Sequence, residues 1–180
     1  MVDFKSFIEK ENEKAKKEQE NFNPEEKISF FKKKVKELYS LIDDNWLKTY
    51  IDNNEIKTSY RNIQITEELL GSYDIQEKLI EIGKHIFILR PIGTILIGTP
   101  GRVDLLYQSK QIMFILIGKN IKSIRTQIKI KKEDKNIKKE IKEDEQLVWK
   151  YTQRGGTMTY HDLSAESFQK ILMDLINGKN

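Results

Sequence analysis

Residues 56–117 decide the fold, and they read IKTSYRNIQITEELLGSYDIQEKLIEIGKHIFILRPIGTILIGTPGRVDLLYQSKQIMFILI. Apolar and polar side chains alternate over much of this stretch, as they do in a strand with one buried face and one wet face. Turn-forming residues divide the stretch into short runs. The pattern predicts strands over Ser59–Ile65, Asp74–Ile82, His85–Leu89, Thr94–Ile97, Val103–Gln108 and Ile112–Ile117.

The connections between these strands indicate an antiparallel sheet. Gly83-Lys84, Thr99-Pro100-Gly101 and Ser109-Lys110 are short turns, whereas a parallel crossover takes about a dozen residues or more. Pro91 is expected to end the third strand, because proline has no N–H for a central ladder. Further strands are predicted over Ile121–Ile130, Leu147–Thr152 and Thr157–Tyr160. The sequence therefore predicts an antiparallel β-barrel or sandwich of about 7–9 strands.

Helices are predicted on both sides of this β-domain. Asn23 is a suitable N-cap and Pro24 fits the first helical position. Apolar residues then recur at steps of three and four, which predicts one long amphipathic helix over 23–54. Ser164 is expected to cap a closing helix over 164–177. The fold class is α+β, with a charged helical extension over 1–22, a β-domain over 55–180 and a flexible charged loop over 131–146 within it.

The composition excludes several kinds of chemistry. The 180 residues include 27 Lys and 26 Ile but no Cys and only two His. Disulfides, thiolate metal sites and cysteine nucleophiles are therefore excluded. The abundance of Lys and Ile is typical of an AT-rich, bacterial genome. The longest apolar runs are about six residues, far below the roughly 20 of a membrane helix, and no signal-peptide pattern is present. We expect a cytoplasmic protein without a cofactor.

Known catalytic motifs are missing from the sequence, and one partial pattern remains. No phosphate-binding loop or nucleophile elbow occurs. Asp104 and Lys119 could fill two places of a metal-dependent nuclease, which pairs an Asp on one strand with an acid-x-Lys on the next. Ile117, however, stands where the second carboxylate is needed. We interpret Asp104 as a polar residue that closes a hairpin, paired with Arg102 or Arg90, and keep the nuclease as an alternative.

The N-terminal helices favour a non-catalytic binding protein. Nine of the twelve residues from Glu9 to Glu20 are Glu or Lys, so the first helix has no apolar stripe and depends on a partner or stays solvated. Its end carries a small apolar cluster, which is expected either to dock on a partner or to fold back on the domain. We predict a helical arm that engages another protein, or a second copy of the chain, through Phe4, Phe7, Ile8, Phe31, Val35, Leu38 and Ile42, together with an exposed sheet edge.

Nucleic-acid binding is the alternative within the binding class. Residues 56–130 carry 11 basic and six acidic side chains, which raises the prospect of a polyanionic partner. A row of cations along one face of the predicted strand Ile121–Ile130 could follow a phosphate backbone. The residues expected to contact phosphate are Lys32, Lys33, Arg125, Lys129 and Lys131.

Several short stretches resemble an uncharacterised group of small bacterial proteins. The resemblance covers roughly residues 35–178. It implies a layout of helix, β-domain, variable polar linker and closing helix, and it implies no activity, because none is established for that group. The charged residues 1–22 lie outside it. The matching stretches are Leu89–Thr94 (LRPIGT), Ile97–Asp104 (IGTPGRVD), Val148–Lys150 (VWK), Leu163–Phe168 (LSAESF) and Leu175–Gly178 (LING).

Overall fold

The computed structural model describes residues 3–20, 22–94, 99–122, 147–153 and 159–178. Within these ranges the chain is α+β, as the sequence predicts. The helices are α1 (Phe4–Glu20), α2 (Pro24–Leu41), a π-helix (Ile42–Trp46), α3 (Lys48–Asp52) and α4 (Ala165–Ile176). The strands are β1 (Ile56–Glu67), β2 (Gly71–Ile82), β3 (His85–Gly93), β4 (Arg102–Tyr107), β5 (Lys110–Gly118), β6 (Leu147–Gln153) and β7 (Thr159–Asp162).

The seven strands form one antiparallel sheet in the order of the chain, β1-β2-β3-β4-β5-β6-β7. This confirms the predicted antiparallel meander. The longest pairing joins β1 to β2 over twelve residues, from Ile56 opposite Ile82 to Glu67 opposite Gly71. Among the described strands β1 and β7 stand at the two ends of the order, so the described sheet is open. The finer prediction of a barrel or sandwich is not confirmed.

Strand β3 does not end at Pro91, and that prediction is wrong. The strand continues to Gly93, with Pro91 opposite Val103 on β4. The register shifts between Pro91 and Gly93, so Ile92 is an extra residue of a β-bulge. A bulge is one of the few places in a sheet where a residue without an N–H is tolerated. Gly93 adopts φ 155°, a backbone conformation that favours glycine.

Several predicted elements fall partly or wholly outside the described residues. Residues 95–98 hold most of the predicted strand Thr94–Ile97. Residues 123–146 hold most of the predicted strand Ile121–Ile130 and the whole charged loop 131–146. The short strand predicted over Thr157–Tyr160 is described from residue 159, as β7.

The long helix predicted over 23–54 is divided into three segments. Asn23 caps α2 as predicted, because its side-chain oxygen accepts a hydrogen bond from the Glu26 N–H at 3.2 Å. The α-helical pattern stops at Leu41 and a π-helix follows. The backbone bends at Leu47, where φ is −118°, and α3 then runs to Asp52. The predicted end near Asp52 is correct, but the prediction of one continuous helix is wrong.

The closing helix α4 begins and ends where the sequence predicts. The Ser164 hydroxyl accepts from the Ser167 N–H, and the Ser167 hydroxyl accepts from the Ser164 N–H, which forms a capping box. Asn177 is the C-cap, and Gly178 follows with φ +74°. Helix α4 buries one face against the core that α2 and the sheet also line. That face consists of Phe168, Ile171, Leu172 and Leu175.

Candidate functional site

The N-terminal end of α1 carries three exposed apolar side chains, which we name the apolar tip. Phe4, Phe7 and Ile8 are 74%, 52% and 42% exposed, and the two phenylalanine rings lie 6.4 Å apart. All side chains from Asp3 to Glu13 are exposed. The tip is therefore not covered by the chain's own core. Its i, i+3, i+4 spacing places the three side chains on one face of the helix.

The apolar stripe of α2 lies in the core, not on a partner surface. Phe31, Val35, Leu38 and Ile42 are each at most 2% exposed. They join the cluster that holds Phe87, Leu105 and Phe168. The prediction that these four residues bind a partner is therefore wrong for the folded chain. An amphipathic stripe is needed to cover the sheet of the same domain, and the sequence pattern does not tell the two uses apart.

A groove between α2 and β6 collects both tryptophans of the chain, and we name it the tryptophan groove. Its volume is about 250 Å³. The Trp149 Nε1–H donates to the Lys34 carbonyl oxygen at 3.2 Å, which fixes β6 against α2. The Lys34–Glu37 ion pair, 3.1 Å long, stands at the groove. The apolar lining consists of Leu41, Trp46, Leu116, Leu147, Val148, Trp149 and Leu163.

A buried carboxylate on β2 holds two arginines from the neighbouring strands. Glu77 has no exposed side-chain surface and lies opposite Arg61 in the β1–β2 register. The Arg61 Nε–H donates to Glu77 Oε1 at 2.6 Å, and the Arg90 Nε–H donates to Oε2 at 2.7 Å. The side chains of Arg61 and Arg90 remain 56% and 41% exposed. The trio carries a net positive charge on the sheet face opposite Lys78.

Asp104 lies on β4, and its carboxylate accepts hydrogen bonds from a side chain of its own strand and from one of β5. Arg102 donates to both oxygens, with Nε–Oδ1 at 2.7 Å and Nη2–Oδ2 at 2.8 Å. Gln111 also donates to Oδ2, at 2.5 Å. The predicted pairing with Arg102 is confirmed. Ile117 is buried in a small apolar cluster with Ile115 and Tyr160. Among the described residues no three His, Asp or Glu side chains are grouped to hold a metal ion.

A second buried charge, Lys78, faces the π-helix. The Lys78 Nζ donates to Asp43 Oδ2 at 2.5 Å and to the Tyr60 hydroxyl at 3.1 Å. The ammonium also lies over the Tyr60 ring, 4.4 Å from its centroid. Burial lowers the pKa of Lys78, and the Asp43 carboxylate opposes that shift. Burial raises the pKa of Tyr39 and Tyr60.

The other oxygen of Asp43 is buried and has no hydrogen-bond partner. Since a π-helix is rare and often marks a functional site, this cluster is a chemical candidate. Neither the tryptophan groove nor the cavity lined by Lys84, His85, Ile86, Tyr107 and Gln108 includes Lys78 or Asp43. We therefore interpret the cluster as a contact that fixes the π-helix to the sheet.

The structure describes two of the five residues that are predicted to contact phosphate. Lys32 and Lys33 are exposed on α2, and the Lys32 ammonium lies 5.6 Å from the centroid of the Tyr73 ring. Arg125, Lys129 and Lys131 lie outside the described residues.

Sequence reasoning missed the buried ions Glu77 and Lys78 and the tryptophan groove. One signal for Glu77 was present, because Tyr73, Ile75, Glu77 and Leu79 form an alternating row in which Glu77 is the only acid. A charged residue inside an apolar row is expected to be paired when it is buried. No comparable signal marks the groove, because its walls come from residues more than 100 positions apart in the sequence.

Comparison of the chain with protein-family models, with curated proteins and with solved structures gives no match. No described helix is long and apolar enough to cross a membrane. The function is therefore argued from the surfaces described above.

Proposed function

We propose that the protein is a non-catalytic protein-binding or accessory subunit of a bacterial multi-protein system, and that it engages its partner through the apolar tip of α1. The exposure of Phe4, Phe7 and Ile8, on a helix whose side chains are all exposed from Asp3 to Glu13, carries this proposal. The resemblance to small bacterial proteins is the reason for placing it in a bacterium. The absence of cysteine fits a cytoplasmic site of action.

The energetics of α1 support a bound state. A helix of 17 residues is near the length at which isolated helices are marginal in water. The side chains from Asp3 to Glu13 are exposed, so burial in the chain's own core does not stabilise that part of the helix. Burying one exposed phenylalanine contributes about 1.5–3 kcal/mol. Two phenylalanines and an isoleucine are enough to fix the helix on a complementary apolar surface.

The outer strand of the sheet offers a second contact. Strand β1 stands at one end of the described strand order, and such a strand presents unpaired backbone groups to which another chain can add. Most of its side chains from Lys57 to Asn62 are exposed. Closure of the sheet into a barrel would instead cover an end strand. The Tyr160 N–H of β7 donates to the Lys122 carbonyl oxygen at 3.0 Å, so β7 has a backbone partner besides β6, and β1 is the end strand that we propose for the second contact.

The apolar tip is tested by replacing Phe4, Phe7 and Ile8 with serine in the full chain. We expect the partner retained by the wild-type chain in pull-downs from native lysate to be lost, because the anchoring surface is removed. The matched control replaces Lys5, Glu9 and Lys10 with serine on the same helix and should retain the partner. Equal retention of that partner by the tip variant would overturn the proposal.

Nucleic-acid binding is a second candidate, and the pair of arginines held by Glu77 favours it. Arg61 and Arg90 are preorganised by a buried carboxylate and are still partly exposed, and arginine suits phosphate recognition. We expect the substitution of Arg61, Arg90 and Glu77 together by glutamine, which leaves no buried carboxylate without a counter-charge, to weaken binding of single-stranded DNA at low salt about tenfold. The Lys48→Gln variant, exposed elsewhere, should bind like wild type. Absence of any DNA retardation by the wild-type chain at low salt would exclude this candidate.

A further inference from the structure

A cleft lies at one end of the sheet, between the turn that joins β2 to β3 and the turn that joins β4 to β5. Its volume is about 290 Å³, and we name it the turn cleft. None of its lining residues is acidic, and none belongs to the apolar tip, so the cleft is independent of the contact proposed for α1. The lining residues are Lys84, His85, Ile86, Tyr107 and Gln108.

The hydroxyl of Tyr107 connects the two turns. Tyr107 is 5% exposed. Its hydroxyl oxygen lies 2.6 Å from His85 Nδ1, and the Gln108 Nε2–H donates to the same oxygen at 3.3 Å. Within the described residues His85 is the acceptor left for the Tyr107 proton. The His85 imidazole therefore carries its own proton on Nε2, which gives the turn cleft an N–H donor.

Two lysines stand beside this donor. Lys84 lines the turn cleft, and Lys110 lies opposite Tyr107 in the β4–β5 register. In the described part of the chain no carboxylate forms an ion pair with Lys84, Lys110 or His85. The flexible lysine stem can place its ammonium beside a bound anion, and hydrogen bonds between charged groups are among the strong ones. The cleft therefore favours an anionic group with oxygen acceptors.

Ile86 gives the same cleft an apolar wall. It is 52% exposed and is the most exposed large apolar side chain of the described strands. Covering such a side chain removes apolar surface from water, which is favourable. Sites for small molecules combine walls of this kind with a few polar groups that fix the orientation of the ligand. Inorganic phosphate would leave Ile86 uncovered, whereas an acid with a carbon skeleton would cover it.

The backbone of Gln108 supports a binding role for the cleft. Its φ is +51°, which is uncommon for a residue other than glycine. Glycine would adopt this conformation without strain, so the glutamine side chain is present at a conformational cost. Strained residues cluster at binding and active sites. The bond from Gln108 to Tyr107 gives the side chain a use, because it fixes the proton of His85 on Nε2.

We propose that the turn cleft binds a carboxylate that is carried by a small apolar body. The His85 Nε2–H donates to one carboxylate oxygen, the Lys84 ammonium donates to the other, and Ile86 packs against the apolar part. Two sources have this chemistry, namely a free aliphatic acid and the C-terminal residue of a peptide chain. The site goes beyond the proposed function, since it uses none of the residues of the apolar tip.

Nuclear magnetic resonance of the two histidines tests the site in the full chain. His161 lies on β7, with its Nε2 3.1 Å from the Thr159 hydroxyl oxygen, and its signals serve as an internal reference. We expect N-acetyl-leucine at constant pH to shift the imidazole signals of His85, with a dissociation constant of about 1 mM, and to leave those of His161 unchanged. N-acetyl-leucinamide has the same apolar body without the charge and should shift neither. Equal responses to the acid and the amide, or no response of His85 to about 10 mM acid, would overturn the proposal.

Two further probes examine the apolar contact and the source. Inorganic phosphate should bind at least about threefold more weakly than N-acetyl-leucine, because it does not cover Ile86. Equal or tighter binding of phosphate would overturn the assignment of an apolar body. The second probe, 4-methylpentanoate, keeps the carboxylate and the isobutyl group but has no peptide unit. Tighter binding of N-acetyl-leucine assigns the cleft to a peptide end and equal binding assigns it to a free acid, and both results support the proposal.

Gln108→Gly separates binding from stability. Gln108 is exposed in its turn and glycine accepts its φ, so the variant should resist urea at least as well as the wild type. The Tyr107 hydroxyl loses its donor, so the imidazole nitrogen shifts of His85 should change and the dissociation constant of N-acetyl-leucine should rise about tenfold. Ser109→Gly, at the other residue of the same turn, is the matched control and should change neither.

Lys84→Met removes the proposed charge from the cleft. Lys84 is exposed, so the variant is expected to fold, and the dissociation constant of N-acetyl-leucine should rise about tenfold. Lys119→Met removes an equally exposed lysine at the end of β5 and should bind the acid like the wild type. Unchanged affinity in both Lys84→Met and Gln108→Gly would overturn the proposal.

Discussion

Replacing Phe168 with alanine should lower the free energy of unfolding by about 3–5 kcal/mol. The Phe168 side chain has no exposed surface. Its ring centroid lies 5.4 Å from that of Trp46 and 6.1 Å from that of Phe114. Phe168 lies on α4 and therefore contacts both the π-helix and β5. Truncation removes apolar burial and leaves a cavity that these three elements cannot all close, because each is fixed by other contacts.

Urea denaturation measures the effect, and Met173 provides the control. Met173 lies on the same helix as Phe168 and is 56% exposed, so Met173→Ala should change the free energy of unfolding by less than about 0.5 kcal/mol. The denaturant slope should be the same for both variants if they unfold in one step. A loss below about 1 kcal/mol for Phe168→Ala would show that α4 is not part of the cooperative unit.

The order of the strands could be predicted from the sequence because the information is local. Short turns such as Gly83-Lys84 and Ser109-Lys110 leave no room for a crossover, so neighbouring strands must run antiparallel. The ends of α2 and α4 are local in the same way, since Asn23 and Ser164 each bond a backbone N–H three residues later. These features depend on fewer than about ten consecutive residues, and the sequence pattern displays them.

The errors arise where a distant contact decides between two local possibilities. Pro91 stops a regular central strand, but the bulge with β4 accommodates it. The apolar spacing of four continues from Leu38 through Ile42 to Trp46, so the pattern shows no break. The chain nevertheless changes there to a π-helix that carries Asp43 toward Lys78. The partners in that ion pair are 35 residues apart, and no window of local pattern contains both.

The candidate sites follow the same division. The apolar residues of the tip and the charged run after them could be recognised, because nine of the twelve residues that follow the tip are Glu or Lys. Whether the tip stays exposed or folds back on the domain could not be predicted, because both arrangements use the same apolar residues. The role of the apolar stripe on α2 could not be predicted either, because burial against the chain's own sheet and burial against a partner require the same spacing. Only the exposed fraction of Phe31 and Leu38, which is zero, decides between them.

Replacing Asp43 with alanine should lower the free energy of unfolding by about 3–5 kcal/mol at neutral pH. The Lys78 side chain has no exposed surface, whereas that of Asp43 is 22% exposed. Without Asp43 the ammonium keeps the Tyr60 hydroxyl but loses its counter-charge in a place that water does not reach. Urea denaturation of the variant and the wild type measures the loss.

Replacing Lys78, the other member of the ion pair, should lower the free energy of unfolding by less than replacing Asp43 does. Lys78→Met fills the same space with an apolar chain and leaves Asp43 partly exposed, with the Tyr60 hydroxyl donating to its Oδ2 at 2.6 Å. The double variant, Asp43→Ala with Lys78→Met, should be more stable than Asp43→Ala alone, because no buried charge remains. Equal losses for the two single variants, or a larger loss for Lys78→Met, would contradict the assignment of Lys78 as the stranded ion.

The dependence of this loss on pH gives an independent check, and its sign follows from the pKa of Lys78. Burial holds that pKa below its ordinary value, and Asp43 opposes the shift, so removing Asp43 should lower the pKa further. The unfolded chain keeps the Lys78 proton up to about pH 10.4. Between the two pKa values the unfolded state binds more protons, and stability therefore rises with pH.

The free energy of unfolding of Asp43→Ala should therefore lie below that of the wild type by less at pH 10 than at pH 7. The difference in free energy of unfolding between the double variant and Lys78→Met should stay constant from pH 7 to pH 10, because neither of these variants contains Lys78. A deficit of Asp43→Ala that stays constant or widens would mean that the buried ammonium is not what makes the loss of Asp43 costly.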